Sequence, residues 1–105
     1  MNDIIKQLED ILEDRKSASS DSSYVSSLYQ KGTDEILKKI GEESAEVIMA
    51  TKDGVKDKIV YEVADLWFHT LVLLRHKDIE VDKIEQELSR RFGLSGLEEK
   101  ANRNK

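Results

Sequence analysis

Residues 36–50 read ILKKIGEESAEVIMA, and the fold follows from their period. Ile36, Ile40, Glu43, Val47 and Ala50 fall on one stripe of a helix, with steps of four, three, four and three. Glu43 therefore stands where a helix would place its core. The next apolar run, residues 60–74, VYEVADLWFHTLVLL, repeats the anomaly, because Glu62, Asp65 and His69 share one narrow face of it. Two helices that look buried, each carrying acids three residues apart, make the carboxylates the feature to explain.

Around these runs the rest of the chain also reads as helices. Apolar residues at Ile4, Ile5, Leu8, Ile11 and Leu12 predict a first helix over residues 2–15, an ordinary surface helix with its acids and lysine opposite the stripe. Residues 17–23, SASSDSS, are too rich in side chains that compete for the backbone to continue it. Tyr24, Val25, Leu28 and Tyr29 predict a short helix stopped at Lys31 and Gly32. Thr33 is the expected N-cap of the main helix, with Asp34 and Glu35 in its first turn. That helix runs through Gly41, which costs about 1 kcal/mol relative to alanine and so implies close packing against it.

Asp53 and Gly54 make a turn, and residues 56–76 form the most apolar helix, expected to be buried nearly all round. A further helix begins at Val81, carries Val81, Ile84, Leu88 and Phe92 on one side and stops at Gly93. Ser95 and Glu98 stand at capping-box spacing before a short terminal helix. The reading is all-α: an antiparallel helical bundle in one domain over residues 1–105.

Composition bounds the function. Charged residues make up 37% of the chain against 38% hydrophobic, so the core is small and association with a second copy would enlarge it. The net charge of −5 and the lack of a basic arm disfavour a nucleic-acid polymer, whose binding depends on neutralising phosphates. Without cysteine there are no disulfides, thiolate metal sites or thiol nucleophiles. No apolar run approaches the ~18 residues of a membrane span, and the first residues do not form a signal peptide, so a cytoplasmic protein with no membrane partner is expected.

Residues three apart on a helix point the same way, so Glu43 with Glu46, and Glu62 with Asp65, make two-pronged acids. A short connection sets the two main helices antiparallel and brings the prongs face to face. Buried, unpaired carboxylates cost several kcal/mol each and raise one another's pKa, and a divalent cation removes both problems. All-oxygen ligation suits a hard ion, above all Mg²⁺ shared with substrate phosphates. A di-iron site normally uses Glu-x-x-His on two helices, which the chain lacks. Glu42 is placed to assist or to act as a base. His69, one turn past Asp65, is placed for a hydrogen bond that orients the acids, although a lone histidine on an apolar face is more often an ordinary core residue. Lys38 and Lys39 are open to helical salt bridges or to phosphate contact. The bland alternative is a solvated acidic face on a helical dimerisation module.

The acid motifs carry a resemblance. Residues 41–46, GEESAE, and 61–65, YEVAD, resemble the EExxE and ExxD signature of the all-α, MazG-like NTP pyrophosphohydrolases. With SSYVSSLYQKGTDEILKK before them, ADLWFHTLVLL after, and the ending RRFGLSGLEEKANR, the chain is similar within that superfamily to the phosphoribosyl-ATP pyrophosphatase family of histidine biosynthesis, over residues 1 to 103. The resemblance implies Mg²⁺-dependent hydrolysis of 1-(5-phosphoribosyl)-ATP to 1-(5-phosphoribosyl)-AMP and pyrophosphate. It implies Glu43, Glu46, Glu62 and Asp65 as metal ligands with Glu42 assisting, and Ser23, Tyr24, Lys31, Lys38 and Lys39 around the substrate groove. It also implies a homodimer, and a separate phosphoribosyl-AMP cyclohydrolase acting next, since this chain has neither the length nor the cysteines for that step. A housecleaning hydrolase of ordinary or damaged nucleoside triphosphates is the alternative within the superfamily.

Overall fold

The computed structural model describes residues 3–21, 23–92 and 96–103, and every regular element among them is helical. Helix α1 spans Ile4–Asp14 and tightens into a 3₁₀ turn at Arg15–Ser17; α2 spans Tyr24–Lys31, α3 Thr33–Asp53, α4 Lys56–His76, α5 Val81–Arg90 and α6 Gly96–Arg103. No helix among the described residues is long and apolar enough to cross a membrane.

Local chemistry accounts for most of these boundaries. The Asp3 carboxylate accepts the Lys6 N–H at 3.1 Å to start α1, and Ser23 Oγ accepts the Ser26 N–H at 3.2 Å to start α2. Gly32 and Gly54 end α2 and α3 with φ of 95° and 77°, in a region that favours glycine. The cap before α3 is Gly32, not Thr33; Thr33 is already helical and turns its hydroxyl to His76 Nε2 at 3.2 Å. Helix α5 ends at Arg90, short of the expected stop, and Gly93 and Ser95 lie outside the described residues.

The core joins the first five helices. Leu12, Val25, Leu28, Ile36, Leu71, Val72 and Val81 form one buried cluster, with Ile5, Leu8, Tyr29, Ile40 and Phe68 packed on it. Helices α3 and α4 make the largest contact in the molecule. They run antiparallel in a register read from two pairs, Thr33 against His76 and Glu43 against His69, whose residue numbers sum to nearly the same value. That register brings the acids of the two helices opposite one another.

On α5 Val81 is buried while Ile84 and Leu88 are exposed, and Phe92, also exposed, lies past its end. Two expectations are corrected. Helix α4 is not buried all round: Val60, Tyr61 and Trp67 are more than half exposed, as are Ile48 and Met49 on α3. Helix α1 does not turn all its acids away from the core, because Glu9 is only 4% exposed. Its Oε2 accepts the Val81 N–H at 2.7 Å, its Oε1 meets Lys6 Nζ at 2.9 Å, and Arg75 Nη2 lies 3.6 Å away. Burial alone would raise the Glu9 pKa, but the Val81 amide, Lys6 and Arg75 together hold it below the ordinary value.

Gly41 also departs from expectation. Nothing lies within 4 Å of where its Cβ would stand, so the close packing inferred from its place mid-helix is absent. Gly41→Ala should therefore stabilise the chain by about 1 kcal/mol through helix propensity alone, measured by chemical denaturation. A destabilised variant would place another surface against this turn of α3.

Candidate active site

The acids lie in the middle of the α3/α4 contact. Glu43 is buried, Glu62 and Asp65 are partly buried, and Glu46 and Glu42 are exposed at the rim. Glu43 Oε1 and Glu62 Oε2 are buried oxygens without an aligned hydrogen-bond donor. Burial raises the Glu43 pKa, and the charges of Asp65 and Glu46 add to this while His69 opposes it. Glu62 is pushed up to about 7, first by a hydrogen bond shared with Glu46, then by burial and by the charges of Glu46, Asp65 and Glu43. Glu43 and Glu62 therefore both carry the mark of the neighbouring acids.

Among the described residues, no three acids or histidines already stand as a coordination group. Closing a shell therefore takes side-chain rotation, for which the exposed Glu46 has room. The donors nevertheless fit a hard divalent cation. They are all carboxylate oxygens, and the two orphaned buried atoms belong to the acids nearest the centre. A groove of roughly 450 Å³ opens beside Glu46 and Glu62, flanked by Met49, Asp57, Lys58 and Tyr61.

Helix α2 brings a second group to the site. Tyr24, at its first position, sets its hydroxyl 2.8 Å from His69 Nε2. The other ring nitrogen, Nδ1, is 3.1 Å from the main-chain carbonyl of Asp65 and 2.6 Å from Glu43 Oε1. His69 thus reaches Asp65 through its backbone, and the carboxylate beside the ring is that of Glu43. The edges of Tyr24 and Phe68 close on the imidazole with centroids 5.7 and 5.3 Å away. Lys39 pairs with Glu42 at 3.9 Å, while Lys38 and Lys31 are exposed. Ser23 carries the cap of α2 already described.

Comparison with known proteins decides the family. Residues 5–92 match phosphoribosyl-ATP pyrophosphohydrolase. The chain belongs to that family. It is 77% identical over 104 residues to the phosphoribosyl-ATP pyrophosphatase of Ruthia magnifica subsp. Calyptogena magnifica, covering 99% of both chains. The phosphoribosyl-ATP pyrophosphatase of Vesicomyosocius okutanii subsp. Calyptogena okutanii has the same identity and coverage. That of Hydrogenovibrio crunogenus is 58% identical over 108 residues, which covers 99% of this chain and 96% of the relative.

The sequence of this phosphoribosyl-ATP pyrophosphohydrolase family member did not disclose the Tyr24 to His69 contact. It spans 45 residues, and spacing within a helix carries no information about which helix packs across it. Nor did it disclose that Tyr29 stacks on His76, with centroids 6.0 Å apart, behind the Thr33 contact.

Proposed function

We propose that the protein hydrolyses 1-(5-phosphoribosyl)-ATP to 1-(5-phosphoribosyl)-AMP and pyrophosphate in a Mg²⁺-dependent reaction, the second step of L-histidine biosynthesis. The observation that carries this reading is near-full-length identity of 77% to relatives bearing that activity in their names. Residues 1–105 act as one cytoplasmic domain, and phosphoribosyl-AMP passes to a separate cyclohydrolase.

Glu43, Glu46, Glu62 and Asp65 would hold the cation. Bound there, Mg²⁺ supplies positive charge that offsets the charge on the phosphoryl oxygens during displacement. Glu42 and Glu43 are the groups placed to take the proton of the attacking water as its oxygen bonds to phosphorus and the bridging oxygen of the α,β anhydride leaves. Lys31, Lys38 and Lys39 bring positive charge to the phosphates, and Lys39 exchanges its exposed partner Glu42 for them. Ser23 and Tyr24 contact substrate from the start of α2. The chain acts as a homodimer, for which the exposed Val60, Tyr61, Trp67, Ile48 and Met49 supply an apolar surface.

The test is pyrophosphate release from phosphoribosyl-ATP. The expected rate depends on added Mg²⁺, disappears with EDTA and returns when Mg²⁺ is restored. A kcat/KM that favours deoxynucleoside triphosphates over phosphoribosyl-ATP would sink the assignment in favour of a housecleaning hydrolase.

A further inference from the structure

The acid site has two ends of unlike chemistry. On α3, Lys39, Glu42, Glu46 and Met49 form one stripe with steps of three, four and three, and Lys39 pairs with Glu42 at 3.9 Å. On α4, which runs the other way, His69, Asp65, Glu62 and Lys58 follow with steps of four, three and four. Both stripes pass through the acids, from the level of Lys39 to the groove of roughly 450 Å³ near the turn between α3 and α4. Small-ligand clefts commonly enclose about 300–1,000 Å³. Met49 and Tyr61 line this groove beside Glu46 and Glu62, and both are more than half exposed. Asp53, Asp57 and Lys58 line it further toward the turn.

We infer that the groove of Met49 and Tyr61 receives the nucleoside, so that the substrate lies along the α3/α4 seam with its base toward the turn and its β- and γ-phosphates toward Lys38 and Lys39. Two arguments fix the direction. A purine offers two π faces, which suit an open phenol ring and a thioether, and phosphates offer none. Asp53 and Asp57 accept hydrogen bonds from sugar hydroxyls or a base amino group, but repel phosphate oxygens. The phosphate on the second ribose is the exception, and Lys58 is the cation lining the groove that meets it. Val60 and Trp67 point about 100° or more away from Tyr61 round α4, and Ile48 as far from Met49 round α3, so they stay open to a second copy. The inference rests on the nucleotide-hydrolase reading for its substrate, and adds to it the residues that read the base.

The first test needs neither cation nor activity. The chain has two methionines, Met1 and Met49, so methyl-¹³C methionine labelling gives two resonances, assigned with Met49→Leu. Adenosine carries no phosphate. It should move the Met49 methyl saturably upfield, through the ring current of a base stacked beside it, and leave Met1 in place. Tyr61→Ala should weaken this titration about tenfold, the worth of one stacked base, and Tyr61→Phe should not. A Met49 methyl that adenosine does not move, or an affinity indifferent to Tyr61→Ala, would overturn the inference.

The second test is kinetic. Tyr61→Ala should raise KM for phosphoribosyl-ATP about tenfold and leave inhibition by inorganic pyrophosphate unchanged. Lys39→Ala should do the reverse, weakening pyrophosphate inhibition and leaving the adenosine titration as it was. If instead Lys39→Ala abolishes the adenosine shift and Tyr61→Ala relieves pyrophosphate inhibition, the substrate lies the other way and the inference falls. Lys58→Ala should narrow the kcat/KM preference for phosphoribosyl-ATP over ATP; an unchanged preference would overturn the assignment of Lys58. If the wild-type protein does not hydrolyse phosphoribosyl-ATP while adenosine still moves Met49, the activity reading falls and the nucleoside groove stands, so the two failures are distinguishable.

Discussion

Glu62→Gln should raise the melting temperature in metal-free buffer and, with saturating Mg²⁺, lower kcat/KM for phosphoribosyl-ATP by about a hundredfold or more. Both signs come from the same charge. Without a cation, Glu62 shares a hydrogen bond with Glu46 and sits among the charges of Asp65 and Glu43, which push its pKa up to about 7. Its ionised form is therefore unfavourable in the folded chain, and a neutral amide of the same shape relieves it. With a cation bound as proposed, that carboxylate would be one of its ligands, and its loss would weaken the charge stabilisation of the transition state.

The pH dependence in EDTA gives the sign independently. Between the ordinary value of 4.5 and about 7 the folded chain keeps the Glu62 proton that the unfolded chain has lost. The folded state binds more protons in that window, so stability falls as pH rises through it. Burial of Glu43 acts in the same direction. Glu62→Gln should flatten this slope and Mg²⁺ should reverse it, as thermal melts at stepped pH will show. A variant less stable than wild type in EDTA, with kcat/KM intact, would remove Glu62 from the cation site.

The helices were legible because their signals are local. Two 21-residue helices punctuated by Gly32 and Gly54 need only period and caps to be found. Glu43 was legible because a single stripe exposed it as an intruder, and Glu62 and Asp65 because their helix is otherwise apolar. The same stripe rule applies to Glu9, which stands four residues after Ile5 and three before Leu12. Its neighbours Glu13 and Asp10 made it look like part of a solvated face, and the residue that decides otherwise, Arg75, is on another helix. The apolar content of α4 was read as burial nearly all round. Apolarity says that a surface tends to be covered, not by what, and the structure leaves Val60, Tyr61 and Trp67 open. The hydrogen bonds of His69 were out of reach for a related reason, since they depend on α2 crossing α4 at one particular turn.

Arg75→Met should destabilise the chain by about 3 kcal/mol, because it removes a buried guanidinium that holds three groups at once, although Glu9 keeps Lys6 and the Val81 amide and Glu13 keeps Lys16. Arg75 is buried at the end of α4, donates to Glu13 Oε1 at 2.8 Å and to the Ile79 carbonyl at 2.6 Å, and faces Glu9 at 3.6 Å. It therefore ties α1, α4 and the approach to α5 at a single point. Glu9 completes the tie by accepting the first N–H of α5, where the helix dipole favours a carboxylate. For a domain of this size the loss corresponds to a fall of roughly 15 °C or more in melting temperature.

Glu9→Gln tests the same knot with the shape kept. An amide oxygen still accepts the Val81 N–H, so the cost should be smaller than for Arg75→Met. Its deficit should also shrink in acid. The Glu9 pKa lies below 4.5 in the folded chain, so its stabilisation is fully present above the unfolded value and is lost as pH falls through the folded one. Wild type and Glu9→Gln should converge in that window, where the Glu62 effect has already ended. Asp65 is ten residues from Arg75 along α4, about 15 Å of helix. At low temperature, then, both variants should keep wild-type kcat per folded molecule. A fall in kcat without a fall in melting temperature would mean that the knot acts on the site and not on the fold.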